Sequence, residues 1–237
     1  MTGTILNVLT VIIGGAIGTF LGARLPAKMR ETVMHGLGLL TMVIGIQMAL
    51  TTRNMLIVLA SILFGAVIGE WIGVQSWLDL LGQRLENRFA REGDSGRFTR
   101  GFVTASLIFC VGPMTILGSI QDGLVGDYNL LAIKSTLDGF AALAFSSTLG
   151  IGVAFSALTV FIFQGGISLA AILLGGALGT VSRETPWVIE MTATGGVLIM
   201  GISLVLLELK QVRLGNLLPA IFIAPAIVAV LGALKLM

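Results

Sequence analysis

Charged residues and cysteine are scarce in this sequence of 237 residues. Charged residues make up 11% of the chain, against about 25% in a typical soluble domain. The single cysteine, Cys110, excludes a disulfide framework and a cysteine-based metal site. The sequence contains no phosphate-binding loop and no cluster of metal ligands, so no metal and no other cofactor is expected. The net charge of +2 is too balanced to indicate a nucleic-acid partner.

Apolar residues and glycine are abundant instead. Hydrophobic residues make up 56% of the chain, and the mean hydropathy is +1.02. The 32 glycines are about twice the average usage and follow no collagen-like period. A soluble core of this size cannot hide so much apolar surface. The composition therefore excludes an ordinary soluble enzyme and a disordered chain, and it indicates an integral membrane protein in contact with the lipid bilayer.

Eight apolar stretches are long enough to cross a bilayer, which takes about 20 residues. They predict an all-α polytopic membrane protein with about eight transmembrane helices, within a range of about seven to nine. The eight stretches are 4–23, 33–50, 54–73, 101–120, 139–163, 167–181, 187–207 and 214–234.

The basic residues predict the orientation of these spans. If the N-terminus lies outside, ten of the 14 Lys and Arg residues fall in loops on the inner side. Cytoplasmic loops carry such an excess. The count therefore predicts that the N-terminus and the C-terminus both lie outside.

The longest polar stretch, residues 74–100, has a helical pattern of its own. Trp77, Leu81, Leu85 and Phe89 recur every four residues, with charged residues between them. This pattern predicts a cytoplasmic amphipathic helix that lies on the membrane surface, followed by a linker. The alternative is a helix that binds a soluble partner.

A short glycine motif occurs twice and predicts an internal repeat. The motif at residues 14–19 recurs almost unchanged at residues 175–180, on the first and sixth predicted spans. An odd offset gives two three-helix units, 1–73 and 167–237, of opposite topology, as in many transporters. The glycines themselves are expected to serve helix packing. They are Gly14, Gly15 and Gly18 in the first copy and Gly175, Gly176 and Gly179 in the second.

The region between the two repeat units, residues 101–163, is the least lipid-like part of the chain. Gly112 and Pro113 interrupt an apolar span and predict a broken or re-entrant helix. Polar residues follow the break, and they either line a substrate or ion path or belong to a loop, to the interface or to ordinary helix backbone contacts. The candidates are Gln121, Asp122, Asn129, Lys134, Asp138, Ser146, Ser147 and Thr148.

Several of these residues also carry a resemblance to a known family. The sequence GSIQDGL at 118–124, with Gly126-Asp127, Lys134-Ser135, Leu137-Asp138-Gly139, Gly152-Val153 and the N-terminal glycine motif, resembles the YqgA/YdfK-like family of bacterial inner-membrane proteins. This family is a domain of unknown function (number 554). The resemblance implies a polytopic protein of the bacterial inner membrane and a transport role, but it supplies no substrate and no catalytic residues.

The favoured function is a transporter or channel for a small solute or ion, passive or driven by an ion gradient, with its path at the repeat interface. Glycine-rich outer faces are compatible with a homo-oligomer. One alternative is a membrane scaffold or assembly factor. Another is an intramembrane enzyme that uses two aspartates, although one histidine and one cysteine leave little for nucleophilic catalysis. No catalytic residues are assigned.

Overall fold

A computed structural model describes residues 1–89, 96–174, 182 and 184–234. Within these residues the chain forms ten α-helices and a short 3₁₀ helix, Leu214–Leu217, and no β-strand. The helices are α1 Thr2–Gly22, α2 Ala27–Ala49, α3 Met55–Ile72, α4 Val74–Phe89, α5 Arg97–Val111, α6 Pro113–Val125, α7 Asn129–Leu149, α8 Gly152–Leu174, α9 Pro186–Leu206 and α10 Ala220–Ala233.

Seven helical segments of the described chain are long and apolar enough to cross a membrane, and the bent pair α5–α6 gives an eighth if it counts as one span. Many large apolar side chains lie on the outer surface, for example Trp71 at 88% exposure and Leu173 at 77%. A soluble monomer rarely exposes so much apolar surface. The prediction of an all-α polytopic membrane protein is confirmed.

The predicted break in the central region is also present. Gly112 is extended (φ −74°, ψ 147°), ends α5 and precedes Pro113 at the start of α6. The two helices bend by 62° at this point. Proline lacks an N–H and is tolerated at the first turn of a helix, so this pair of residues separates two helices within one apolar stretch. Thr115 Oγ1 donates to the carbonyl oxygen of Phe109 (3.0 Å) and so satisfies one of the groups that the break frees.

The limits of the fifth and sixth predicted spans are wrong. The structure has α7 and α8 where the hydropathy pattern predicts 139–163 and 167–181. Gly150, at φ 80°, ends α7 and donates its N–H to the carbonyl oxygen of Ser146. Glycine adopts this backbone conformation at little cost. The hydropathy pattern missed the turn because its residues are apolar, and it excluded the start of α7 because Lys134 is charged.

The described helices fall into two compact units. Unit 1 consists of Met1–Leu37 and Asp79–Thr180. In it α1 packs against α7 and α8, and α6 packs against both α7 and α8. Phe98, Phe102 and Phe109 of α5 are buried in its core.

Close packing of α1 in unit 1 depends on glycine. A Cβ on Gly14 would lie 2.1 Å from the carbonyl oxygen of Gly139, and a Cβ on Gly18 would lie 2.1 Å from that of Leu143. Gly15 meets α8 in the same way. Only a residue without a side chain lets two helix backbones approach so closely. The second copy of the motif, with Gly175, Gly176 and Gly179, lies outside the described residues.

Unit 2 consists of Gly38–Leu78 and Val181–Met237. In it α10 packs against α3 and α9. A Cβ on Gly69 would lie 1.9 Å from the carbonyl oxygen of Asn216, so α3 also approaches the 3₁₀ helix closely. The side-chain oxygen of Asn216 accepts a hydrogen bond from the backbone N–H of Gln75 (2.7 Å). The segments 1–73 and 167–237 as repeat units stay a prediction.

One buried carboxylate organises the turn before α3 in unit 2. Glu190 on α9 is 1% exposed. It accepts hydrogen bonds from the hydroxyl of Thr52 (2.6 Å) and from the backbone N–H groups of Arg53 (2.8 Å) and Asn54 (3.2 Å). Both of its oxygens are therefore engaged, and the carboxylate fixes the turn to α9.

Helix α4 lies within the polar stretch 74–100, and its end is tied to α5. Its place on the cytoplasmic membrane surface stays a prediction. Trp77 and Phe89 are exposed. Glu86 accepts hydrogen bonds from the backbone N–H of Gly96 and from the N–H and hydroxyl of Thr99, at the start of α5. Burial alone would raise the pKa of Glu86, but these hydrogen bonds outweigh burial and hold the pKa below its usual value. The polar segment therefore includes a helix-capping contact.

Candidate functional site

The most unusual charges in unit 1 are Lys134 and Asp138 on α7. They lie four residues apart on one helical face, are 5% and 9% exposed, and form a salt bridge. The side-chain amide of Asn7 on α1 donates to the same carboxylate oxygen (3.0 Å). Lys134 Nζ also lies 6.0 Å from the centre of the Phe109 ring. The structure thus brings a buried ion pair into contact with α1 and α5.

Asp122 on α6 is buried, and its carboxylate contacts the start of α1. One carboxylate oxygen is 3.1 Å from the amino group of Met1, and the other accepts the backbone N–H of Gly3 (3.1 Å). The first N–H groups of a helix lack partners within the helix and favour a negative charge. Asp122 therefore caps α1 and ties it to α6.

Four buried side chains near these contacts have polar atoms that lack a hydrogen-bond partner among the described residues. The atoms are Thr4 Oγ1, Asn7 Oδ1, Ser119 Oγ and both amide atoms of Gln164. Thr4, Ser119 and Gln164 are 0% exposed, as is Asn7. More than nine in ten buried polar groups in proteins have a partner, so a group of four orphaned side chains is unusual.

Sequence reasoning missed these four as site residues. The signal was present for two of them, because Asn7 and Gln164 are amides within long apolar stretches. Thr4 and Asn7 are also three residues apart, on the face of α1 that carries buried glycines. Hydroxyls in helices usually bond to their own backbone, so Thr4 and Ser119 gave no such signal.

The hydroxyls near the end of α7 bond to the backbone of that helix. Ser146 donates to the carbonyl oxygens of Ala142 and Leu143. Ser147 donates to Ala144 (2.7 Å) and Thr148 donates to Phe145 (2.9 Å). Whether these hydroxyls also line a path stays a prediction.

Two of the predicted path residues lie away from the buried pair. Asn129 is exposed at the first position of α7, and its backbone N–H bonds to the side chain of Asp127 (3.0 Å). Gln121 is half-buried on α6, next to Asp122. The structure therefore brings Lys134 and Asp138 together with Asn7, and it places Asn129 at the periphery.

A cavity of about 550 Å³ lies at the other end of α1 in unit 1. Arg97 lines it and donates two hydrogen bonds to the carbonyl oxygen of Thr148 (2.9 and 2.7 Å). Asn7 and Thr19 are twelve residues apart, which corresponds to about 18 Å along a helix. The cavity is lined by Ala16, Thr19, Phe20, Ala23, Phe89, Arg97, Gly150 and Ile151.

The part of the chain that the structure describes contains no group of three or more His, Cys, Asp or Glu side chains that could hold a metal ion. The oxygen atoms of these buried side chains belong to the carboxylate of Asp138, the hydroxyls of Thr4 and Ser119, and the amides of Asn7 and Gln164. Such an arrangement can bind small polar groups or ions through neutral oxygen atoms.

Comparisons with known proteins match nearly the whole chain to one family. The family model described as "Protein of unknown function (DUF554)" matches residues 2–229. The chain is 31% identical to "Uncharacterized membrane protein YdfK" of Bacillus subtilis (strain 168), over 100% of this chain and 99% of that protein. It is 28% identical to "Uncharacterized protein YqgA" of Escherichia coli (strain K12), over 94% of each chain. No solved structure matches the chain.

Proposed function

We propose that this chain, which belongs to the DUF554 family, is a transporter or channel that moves a small solute or ion through unit 1. The movement is passive or driven by an ion gradient. The observation that carries the proposal is the buried pair of Lys134 and Asp138, in contact with Asn7.

A buried ion pair is costly inside a membrane protein. Each charge loses its hydration, and the mutual attraction only partly compensates. Apolar side chains of similar volume usually give equal or greater stability at such a position. Charges within membrane spans therefore commonly mark substrate or ion pathways, and this reasoning favours a functional role for Lys134 and Asp138.

Two further features of unit 1 support a path. The span before the pair is broken at Gly112, and broken spans are tolerated where the backbone faces protein or a water-filled cavity. The cavity beside Arg97 approaches α1 from the opposite end. A solute would have to pass through unit 1 between this cavity and the buried pair, by a route other than the closely packed glycine face of α1.

The proposal places the protein in the bacterial inner membrane with both termini outside. It rests on the ten of 14 Lys and Arg residues that this orientation assigns to the inner loops. It also includes the inverted repeat, which would provide two gates of opposite orientation.

The enzyme alternative is less well supported. A two-aspartate site needs two carboxylates that share a proton. Asp122 instead contacts the amino group of Met1, while Asp138 contacts Lys134. A scaffold function would depend on the exposed side of α4 rather than on the buried pair. We therefore propose a function other than catalysis.

Flux through the Asp138→Asn variant tests the transport proposal. The purified protein is placed in liposomes, and uptake of ²²Na⁺, ⁸⁶Rb⁺, glycerol and urea is measured against protein-free liposomes. We expect the wild type to accelerate at least one probe and the variant to reduce that rate by about tenfold or more, because the buried charge balance is lost.

The control is Asp127→Asn, the same change at an exposed carboxylate on the loop before α7. Its flux should equal that of the wild type. Wild-type rates equal to those of protein-free liposomes for every probe, or equal flux through both variants, would contradict the proposal.

A further inference from the structure

We propose that the orphaned oxygens of Thr4, Asn7, Ser119 and Gln164 form a binding site for a monovalent cation such as Na⁺ or K⁺. This inference deepens the transport proposal by naming the class of ion that unit 1 holds. Cation binding is measured without any flux, so the two proposals fail independently.

The packing of three helices brings the four side chains to one region. α1, α6 and α8 each contact the other two. A Cβ on Gly165 would lie 4.0 Å from Thr4 Cγ2, and the neighbouring residue in the chain is Gln164. Ser168, one turn after Gln164, donates its hydroxyl to the carbonyl oxygen of Ser119 (3.0 Å). On α8, Gln164 is therefore next in the chain to a contact with Thr4 of α1 and one turn from a contact with Ser119 of α6.

The orientation of the Asn7 amide leaves its oxygen atom free to coordinate a cation. Its side-chain nitrogen bonds to the carboxylate of Asp138. A carboxylate accepts hydrogen bonds but cannot donate one, so the amide cannot be turned the other way. Its oxygen, Oδ1, is consequently directed away from Asp138 and is buried without a partner among the described residues.

The chemistry of these atoms fits a hard cation. Hydroxyl and amide oxygens replace the hydration shell of such ions, and one ion satisfies several orphaned oxygens at once. The amide nitrogen of Gln164 requires an acceptor, which a water molecule kept by the ion supplies.

The charge of the surroundings favours an ion of single charge. The nearby carboxylates, Asp122 and Asp138, each contact an ammonium group already. Divalent ions in proteins are generally held by carboxylates, whereas the four orphaned side chains offer neutral oxygens. The site therefore suits an ion whose dehydration neutral oxygens can offset.

Thermal unfolding of the purified full-length protein in detergent tests the inference. The far-UV circular dichroism of the helices is followed in NaCl, KCl and N-methyl-D-glucamine chloride at equal ionic strength. A ligand that binds only the folded state raises Tm with its concentration. We expect Na⁺ or K⁺ to raise Tm above the value in the bulky organic cation, in a saturable way.

Thr4→Val and Gln164→Leu should each reduce this cation-dependent shift, with an apparent affinity weaker by about tenfold. Thr4→Val keeps the shape of the side chain and removes only the orphaned oxygen. Its Tm without Na⁺ or K⁺ should equal or exceed that of the wild type, because no protein hydrogen bond is lost. The matched control, Thr136→Val, changes an exposed hydroxyl that bonds to the helix backbone and should keep the shift.

Three outcomes would overturn the inference. They are an equal Tm in all three salts, an unchanged cation-dependent shift in Thr4→Val, and a rise in Tm with Ca²⁺ but not with Na⁺ or K⁺. If cations bind but no probe is transported, the site stands and the transport proposal fails. If a probe is transported but no cation raises Tm, the transport proposal stands and the cation site fails.

Discussion

Asp138 in unit 1 and Glu190 in unit 2 are both buried carboxylates on apolar helices, but their surroundings differ. Glu190 receives three hydrogen bonds from the turn before α3, and both of its oxygens are engaged. The oxygen Oδ2 of Asp138 accepts hydrogen bonds from both Lys134 Nζ and the side-chain amide of Asn7. Asn7 then leaves its own oxygen buried without a partner among the described residues.

All hydrogen-bonding groups around Glu190 have partners, whereas Asp138 belongs to a hydrogen-bond network in which one atom, Asn7 Oδ1, has none among the described residues. Among the residues that the structure describes, no buried side-chain N or O atom of unit 2 lacks a hydrogen-bond partner, whereas such atoms of four side chains in unit 1 do, including Asn7 beside Asp138. A fully satisfied polar network specifies a unique structure, and a partly satisfied one is costly. Each such group in a folded protein therefore needs an explanation, and the cation site proposed above supplies one.

Removal of Glu190 should have the largest effect on stability. Glu190→Ala leaves the N–H of Arg53 and the hydroxyl of Thr52 without their acceptor, and it leaves the N–H of Asn54 with only the hydroxyl oxygen of Thr52. We expect a loss of about 4 kcal/mol in the free energy of unfolding, because hydrogen bonds to a buried charge are strong. Unfolding in SDS, followed by tryptophan fluorescence, measures this loss.

Flux per folded protein should stay unchanged in Glu190→Ala if this carboxylate is purely structural. The control is Glu184→Ala, which removes an exposed carboxylate from the same unit and should leave stability within experimental error. A Glu190→Ala variant that is stable but has lost its flux would remove the contrast between the two units.

The buried pair of unit 1 should respond differently to removal of one charge and of both. Lys134→Met leaves Asp138 buried without its cation and should cost about 3 kcal/mol. The double variant Lys134→Met/Asp138→Leu should recover about half of that loss, because apolar side chains replace a buried pair at little cost but the side-chain amide of Asn7 loses its acceptor. Flux should be lost in both variants.

The matched control is Lys28→Met, which removes an exposed positive charge from the same unit. It should change neither stability nor flux. If the double variant is as unstable as Lys134→Met, the pair is required for the fold in the way that Glu190 is. Retained flux in the double variant would exclude the pair from the path.

The sequence predicted those parts of unit 1 that depend on residues close in the chain. Lys134 and Asp138 are four residues apart, so a helix places them on one face wherever it packs. The break at Gly112 follows from the proline after it. Asn7 joins this network through a contact between distant helices, and no local pattern encodes that contact. The start of α7 was missed because hydropathy treats a paired charge as an exposed one.

The smallest expected effect concerns Glu86, a third carboxylate, which shares the hydrogen bonding of Glu190 but not its burial. Its hydrogen bonds with Gly96 and Thr99 hold its pKa below the usual value. The stabilisation is therefore present above pH 4.5, the ordinary value, and is lost as the pH falls through the lowered pKa. Glu86→Gln should cost about 0.5 kcal/mol at pH 7, since solvent screens a half-buried cap in part, and the difference in Tm from the wild type should shrink toward zero at about pH 3. Glu31→Gln, at an exposed position of the same unit, should show no such difference at either pH. A loss in Glu86→Gln as large as that in Glu190→Ala would mean that the number of hydrogen bonds, and not burial, sets the contribution of a carboxylate in this protein.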